Sequence, residues 1–106
     1  MISVKMGQEK HSAPLPTARS IRRACSNELY RTAKRLKQYV PADKMEQAEK
    51  LYVKRVIGHL LWIADNRSNR KALADWWEKE VSAEIAELWN VDRTRLSEAF
   101  RQAFGG

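Results

Sequence analysis

Few residues in this chain have the types and spacing that covalent chemistry needs. The single cysteine, Cys25, excludes an internal disulfide and a Cys-rich zinc site, and with Ala24 and Leu29 around it in a helical pattern it reads as a small core residue. His11 and His59 are separated by a predicted helix, and His59, alone among aliphatic residues, reads as a satisfied buried or boundary histidine. There is no Cys-x-x-Cys or His-Cys metal spacing, no Gly-rich phosphate loop and no Ser/His/Asp set, and the carboxylates between residues 71 and 87 have the spacing of a solvated face. The expectation is a chain that is not an enzyme and that carries no metal or cofactor. The chemistry left to it is charge and hydrogen bonding.

That charge is unevenly placed. Across 106 residues, 20 Lys/Arg face 13 Asp/Glu, for a net charge of +7 and a pI near 9.9, which points to a polyanionic partner. Residues 1–40 hold nine basic and two acidic residues, residues 41–70 six and four, and residues 71–106 five and seven. Most of the excess lies on one predicted helix, whose polar side carries Arg19, Arg22, Arg23, Arg31, Lys34, Arg35 and Lys37 against the single acid Glu28. Like charges along a helix repel, so a merely solvated face has no need of this density. Arg19, Arg22, Arg23, Arg31, Lys34 and Arg35 are the phosphate-binding candidates of this helix.

The elements that would position these residues are all helical. With 43% hydrophobic and 31% charged residues the composition is globular, and the length suits one domain with a single core, which a homodimer would reinforce. Residues 1–16, ending in Pro14-Leu15-Pro16, read as an arm, and residues 17–106 as one helical domain. Thr17 is an N-cap candidate for a basic helix over 17–40, ended by Pro41. Residues 41–65 read as a core helix. From Leu51 to Ile63 it is apolar nearly all round, which predicts burial on several sides or a dimer interface, and Gly58 within it predicts a close helix crossing. Asp65 to Asn69 is turn chemistry, with Ser68 or Asn69 as the next cap. Residues 69–89 then form a Trp-rich helix or helix pair, in which Trp76 and Trp77 are candidate core residues or anchors for a protein partner. No strand candidate occurs, so the fold class is all-α, a compact bundle of four to five helices.

The last stretch, Ile85 to Gly105, holds two short amphipathic helices joined by a sharp turn. Ile85, Ala86 and Trp89 share one face, Asn90 can take the left-handed conformation that ends a helix, and Asp92 is an N-cap candidate. Leu96, Ala99, Phe100, Ala103 and Phe104 form the inward face of the second helix, leaving Arg93, Thr94, Arg95, Ser97, Glu98 and Arg101 outside. This stretch resembles the last helix-turn-helix of AraC-type transcription regulators. The residues that carry the likeness are Ile85-Ala86, Val91, Leu96 and the ending Phe100-Arg101-Gln102-Ala103-Phe104-Gly105. The resemblance implies that residues 92–104 form a recognition helix entering the DNA major groove. It makes Arg93, Thr94, Ser97 and Glu98 the base-reading candidates and puts Arg95 and Arg101 nearer the phosphate backbone. It also requires a break near Val81-Ser82, with Ser82 as a cap, so that a preceding helix can cross behind.

Together these observations predict a small DNA-binding protein, a transcriptional or plasmid or phage regulator with double-stranded DNA as partner. The alternative is a non-enzymatic helical interaction module, a nucleoprotein-complex subunit or an inhibitor of another protein, using the basic first helix and the Trp-rich helices. No apolar run reaches the length of a signal peptide or a bilayer span, so cytoplasmic residence and no membrane partner are expected.

Overall fold

The computed structural model describes residues 15–105, so His11 and most of the expected arm lie outside the described residues. Six helices follow in order: α1 (Ala18–Leu36), α2 (Ala42–Gly58), α3 (Leu60–Asp65), α4 (Arg70–Glu80), α5 (Ser82–Trp89) and α6 (Arg93–Phe104). There is no strand among the described residues.

Most boundaries follow from local chemistry. The Thr17 side chain accepts from the Ser20 N–H and starts α1. The helix stops short of residue 40 because Lys37 adopts φ 55°, ψ 38°, returning its N–H to the last-turn carbonyls of Ala33 and Lys34. α2 begins immediately after Pro41. Asn69, through Oδ1, accepts from the Ala72 N–H to cap α4, and Asp92 accepts from the Arg95 N–H to cap α6.

Two regions differ from the sequence expectation. Residues 41–65 are not one core helix: the chain breaks at His59, whose backbone leaves the helical region at φ −127°, ψ 29°. The cause is tertiary as well as local. Gly58 offers the weakest helix propensity short of proline, and the ring of His59 accepts, at Nδ1, the indole N–H of Trp76 from α4 at 2.6 Å. A Cβ on Gly58 would meet nothing within 4 Å, so no helix crosses there. The apolar circumference of 51–63 is likewise not a buried centre. On α2 only Met45, Ala48 and Tyr52 are buried, α3 buries none of its residues, and Ile57, Leu61 and Trp62 stay exposed.

Residues 70–89 form two helices, broken at Val81 (φ −120°, ψ −39°). Ser82 does not cap the second of them. Its hydroxyl donates back to the Glu78 carbonyl at 2.5 Å, a bond that competes with the helix ladder and bends the chain. Val81 and Ser82 are both fully buried at this bend.

The core lies between α1, α2, α4, α5 and α6. Trp77 stacks on Phe100 with ring centroids 4.0 Å apart and planes within 5°. Leu29, Val81, Ile85 and Leu96 are sealed around them. α1 packs antiparallel to α6: Arg95 donates to the carbonyl of Leu36 at the end of α1, and Arg31, a turn or more earlier, reaches the Ala103 carbonyl at the end of α6. α2 folds back on α1, joined to it by Ser26–Glu49 and Tyr52–Glu28 hydrogen bonds.

Candidate nucleic-acid interface

On α1, Arg19, Arg23, Asn27, Tyr30 and Lys34 recur at three- and four-residue steps and so share one stripe, with Lys37 just past its end, all of it exposed. Its buried face is Ile21, Cys25, Leu29, Thr32, Ala33 and Leu36. Among the described residues, the ion pairs join Lys50–Glu46, Arg55–Glu84, Lys71–Asp75, Arg101–Asp75 and Arg101–Glu78, and none uses a cation of α1. Glu28, the helix's one acid, points inward and accepts from the Tyr52 hydroxyl. Burial pushes its carboxyl above the ordinary range, against the opposing pull of the Tyr52 hydrogen bond and of Arg31 and Arg70. Among the described residues, the outer face of α1 is therefore basic with no internal counter-charge. Arg22 stands apart on the α2 side, where it lines a depression with Glu46 and Glu49. Arg31 and Arg35 lie one turn apart on the side of α1 that meets α6, and the Arg31 guanidinium helps cap that helix through Ala103.

Two aromatic residues belong to this surface and were not read from the sequence. Tyr30 is 57% exposed and Tyr39, just past the helix, 84%; with Lys34 and Lys37 they line an open depression. The signal available was phase: Tyr30 falls in step with Arg23, Asn27 and Lys34 on the polar arc.

The turn between α5 and α6 is built as its residues suggest. Asn90 sits at φ 56°, ψ 49°, its N–H returning to Glu87, and the Val91 N–H reaches the Ala86 carbonyl at 3.0 Å. Ile85, Ala86 and Trp89 all face inward.

α6 presents a narrower surface than expected. Thr94, Glu98 and Gln102 recur every four residues along its outward side, with Arg95 beside them; all four are exposed. Ser97 corrects the expectation. It is 5% exposed, and its hydroxyl faces the interior with no hydrogen-bond partner. Arg93 is an exposed residue, but its head is tied down: Nε donates to the Ser82 hydroxyl at 3.0 Å in a part-buried bond and Nη2 to the Glu78 carbonyl at 2.8 Å. Arg101 donates to both Asp75 and Glu78, at 2.7 and 2.8 Å. These hydrogen bonds hold the Asp75 carboxyl below its ordinary range and raise the Arg101 guanidinium. Arg93, Ser97 and Arg101 thus share the stripe that faces α4, whereas Thr94, Glu98 and Arg95 are brought together at the surface.

The paired tryptophans are interior residues. Trp77 is fully buried and Trp76 is half-buried against His59, so Trp77 is not available as a partner anchor; the exposed tryptophan is Trp62. Cys25 is buried, and desolvation pushes its thiol well above the ordinary range, which leaves it an inert core residue. Among the described residues no group of three or more His, Cys, Asp or Glu could hold a metal ion, and no helix is long and apolar enough to cross a membrane. No protein family, curated protein or solved structure matches the chain.

Proposed function

We propose that this protein binds double-stranded DNA, with α6 set into the major groove and α1 gripping the neighbouring phosphates. The observation that carries the reading is the antiparallel seating of α1 along α6, which brings an exposed basic face without counter-charge beside the helix that follows the Asn90 turn. Phosphate contacts supply most of the affinity of such complexes, so cations have to flank the reading helix. The bend at Val81 and the left-handed Asn90 support the helix-turn-helix reading of residues 82–104. Base contacts fall to Thr94 and Glu98, the latter able to accept from a cytosine amino group, with Arg95 on the backbone. Ser97 drops out, and Arg93 and Arg101 act on the fold before they act on DNA.

The test is duplex binding by fluorescence anisotropy across a salt series, with random DNA and with a pool enriched on the protein. Replacing Arg23, Lys34 and Arg35 together by Ala is expected to weaken both pools and to flatten the log–log salt slope by about 2 to 3, near 0.9 for each phosphate that the variant no longer neutralises. Glu98→Ala is expected to change preference within the enriched pool and leave the slope unaltered. An unchanged slope in the triple variant overturns the reading. A second reading, the helical interaction module, is favoured by the exposure of Ile57, Leu61 and Trp62 on adjoining turns of α2 and α3. It predicts that no duplex sequence is enriched.

A further inference from the structure

Between α1, α2, α4 and α6 lies a half-open cavity of about 320 Å³, at the small end of the range for ligand sites. Tyr52, Trp76, Phe100 and Phe104 supply aromatic walls from three different helices, and Ile21 and Leu73 close the gaps between them. Among the described residues, Glu28 is the one charged residue on its lining. The hydrogen bond that its side chain makes runs through Oε1, from the Tyr52 hydroxyl, and leaves Oε2 without one. Two guanidiniums act on this carboxylate from a distance, those of Arg31 and Arg70. Both are committed elsewhere: Arg31 donates to the Ala103 carbonyl, while Arg70 donates to the Phe104 carbonyl and lies over the Phe104 ring.

A carboxylate with a spare oxygen, set among aromatic rings in a small apolar space, is the combination that recognises an organic ammonium. The carboxylate takes the N–H bonds and the aromatic walls take the hydrocarbon part; Phe100 is stacked on Trp77 and Phe104, and Arg70 lies over the Phe104 ring, so these two rings serve as apolar wall. A neutral apolar molecule would fill the walls but leave Oε2 unpaired. An anion would be repelled by the one charge in the lining.

We infer that this cavity binds a small aryl- or alkyl-ammonium ligand, its nitrogen on Glu28 and its apolar part between Trp76 and Phe100/Phe104. The site is independent of the basic face of α1, since its lining among the described residues holds no lysine or arginine.

The experiment titrates the full chain with 2-phenylethylammonium, with 2-phenylethanol as the neutral isostere and 3-phenylpropionate as the anion. The readout is the Trp76 indole N–H resonance, assigned by its loss in Trp76→Phe. The expected result is a saturable shift with the ammonium, binding at least tenfold weaker for the alcohol, and none for the carboxylate. Glu28→Gln keeps an acceptor for Tyr52 and removes the charge, so it should bring the ammonium down to the level of the alcohol. A shift that does not saturate, equal binding of ammonium and alcohol, or an unchanged ammonium affinity in Glu28→Gln would overturn the assignment. The ligand series runs on the unaltered protein, so the comparison stands whether or not the variant folds.

Discussion

Replacing Arg93 by Ala separates a fold-holding arginine from a base-reading one. Its guanidinium bridges the α4–α5 bend, donating from Nε to Ser82 and from Nη2 to the Glu78 carbonyl. A charge-assisted hydrogen bond contributes about 1.5–3 kcal/mol when buried, but here the Glu78 bond is exposed and the Ser82 bond only part-buried, which lowers their sum. The truncation also leaves no orphan, because the Ser82 hydroxyl still donates to the Glu78 carbonyl. The loss expected is therefore about 1–2 kcal/mol, or a fall in the melting midpoint of roughly 4–10 °C for a domain of this size. Urea unfolding followed by tryptophan fluorescence measures it, with an unchanged m-value as the sign that the folded and unfolded states keep their exposure. Arg93→Lys keeps the charge and loses the two-pronged geometry, so it should recover less than half of the loss. If Arg93→Ala leaves stability within about 0.3 kcal/mol of the parent while abolishing preference for an enriched duplex, the bridging role is wrong and Arg93 reads bases.

Other substitutions probe other parts of the same argument. Ser97→Ala removes a buried hydroxyl that has no partner, so it should be neutral or stabilising by up to about 1 kcal/mol and leave duplex binding intact; a loss of either overturns the inward placement. Asn90→Ala should cost about 1 kcal/mol by forcing an ordinary L-residue into the left-handed region, whereas Asn90→Gly should cost nothing or stabilise slightly; chemical denaturation of the pair distinguishes a strained turn from a relaxed one. The Glu28 carboxyl titrates above its ordinary value near 4.5 because it is buried. The folded state therefore holds that proton to higher pH than the unfolded chain does, and stability falls as pH rises from about 4.5 through the raised value. In Glu28→Gln this fall should vanish, so the variant gains on the parent with rising pH; parallel urea midpoints across that window would refute it.

What the sequence made legible is what local chemistry decides. Thr17, Asn69, Asp92 and Asn90 each end or begin a helix through a bond to a residue three or four positions away, and such bonds need no knowledge of the rest of the chain. The inward face of α6 followed from spacing for the same reason. The break at His59 did not, because the indole that holds its ring comes from 17 residues further on. Nor did the exposure of Ile57, Leu61 and Trp62: an apolar circumference says that burial would be favourable, not that a neighbour is there to provide it. The outward face of α6 was misread where two stripes of one helix lie side by side. Arg93, Ser97 and Arg101 and then Thr94, Glu98 and Gln102 are consecutive every-fourth-residue rows of polar residues. Only the position of α4, with Asp75 and Glu78 waiting for Arg101, decides which row faces in.

The same packing removes the objection that the charge by segment raises. By sequence, α6 lies in a third of the chain with five basic residues against seven acids, far from the basic first forty residues. In the fold, two of those acids, Asp75 and Glu78, are taken up by Arg101, and a third, Glu84, by Arg55 of α2. On the other flank, Arg95 reaches the end of α1, where Lys34, Arg35 and Lys37 stand exposed with no ion pair among the described residues. The field across the outward face of α6 therefore runs from neutralised on the α4 side to basic on the α1 side. On the proposed reading, a duplex at this surface is pulled toward α1, across Arg95 and Glu98, so the contribution of each α6 side chain to binding should grade with its distance from that helix.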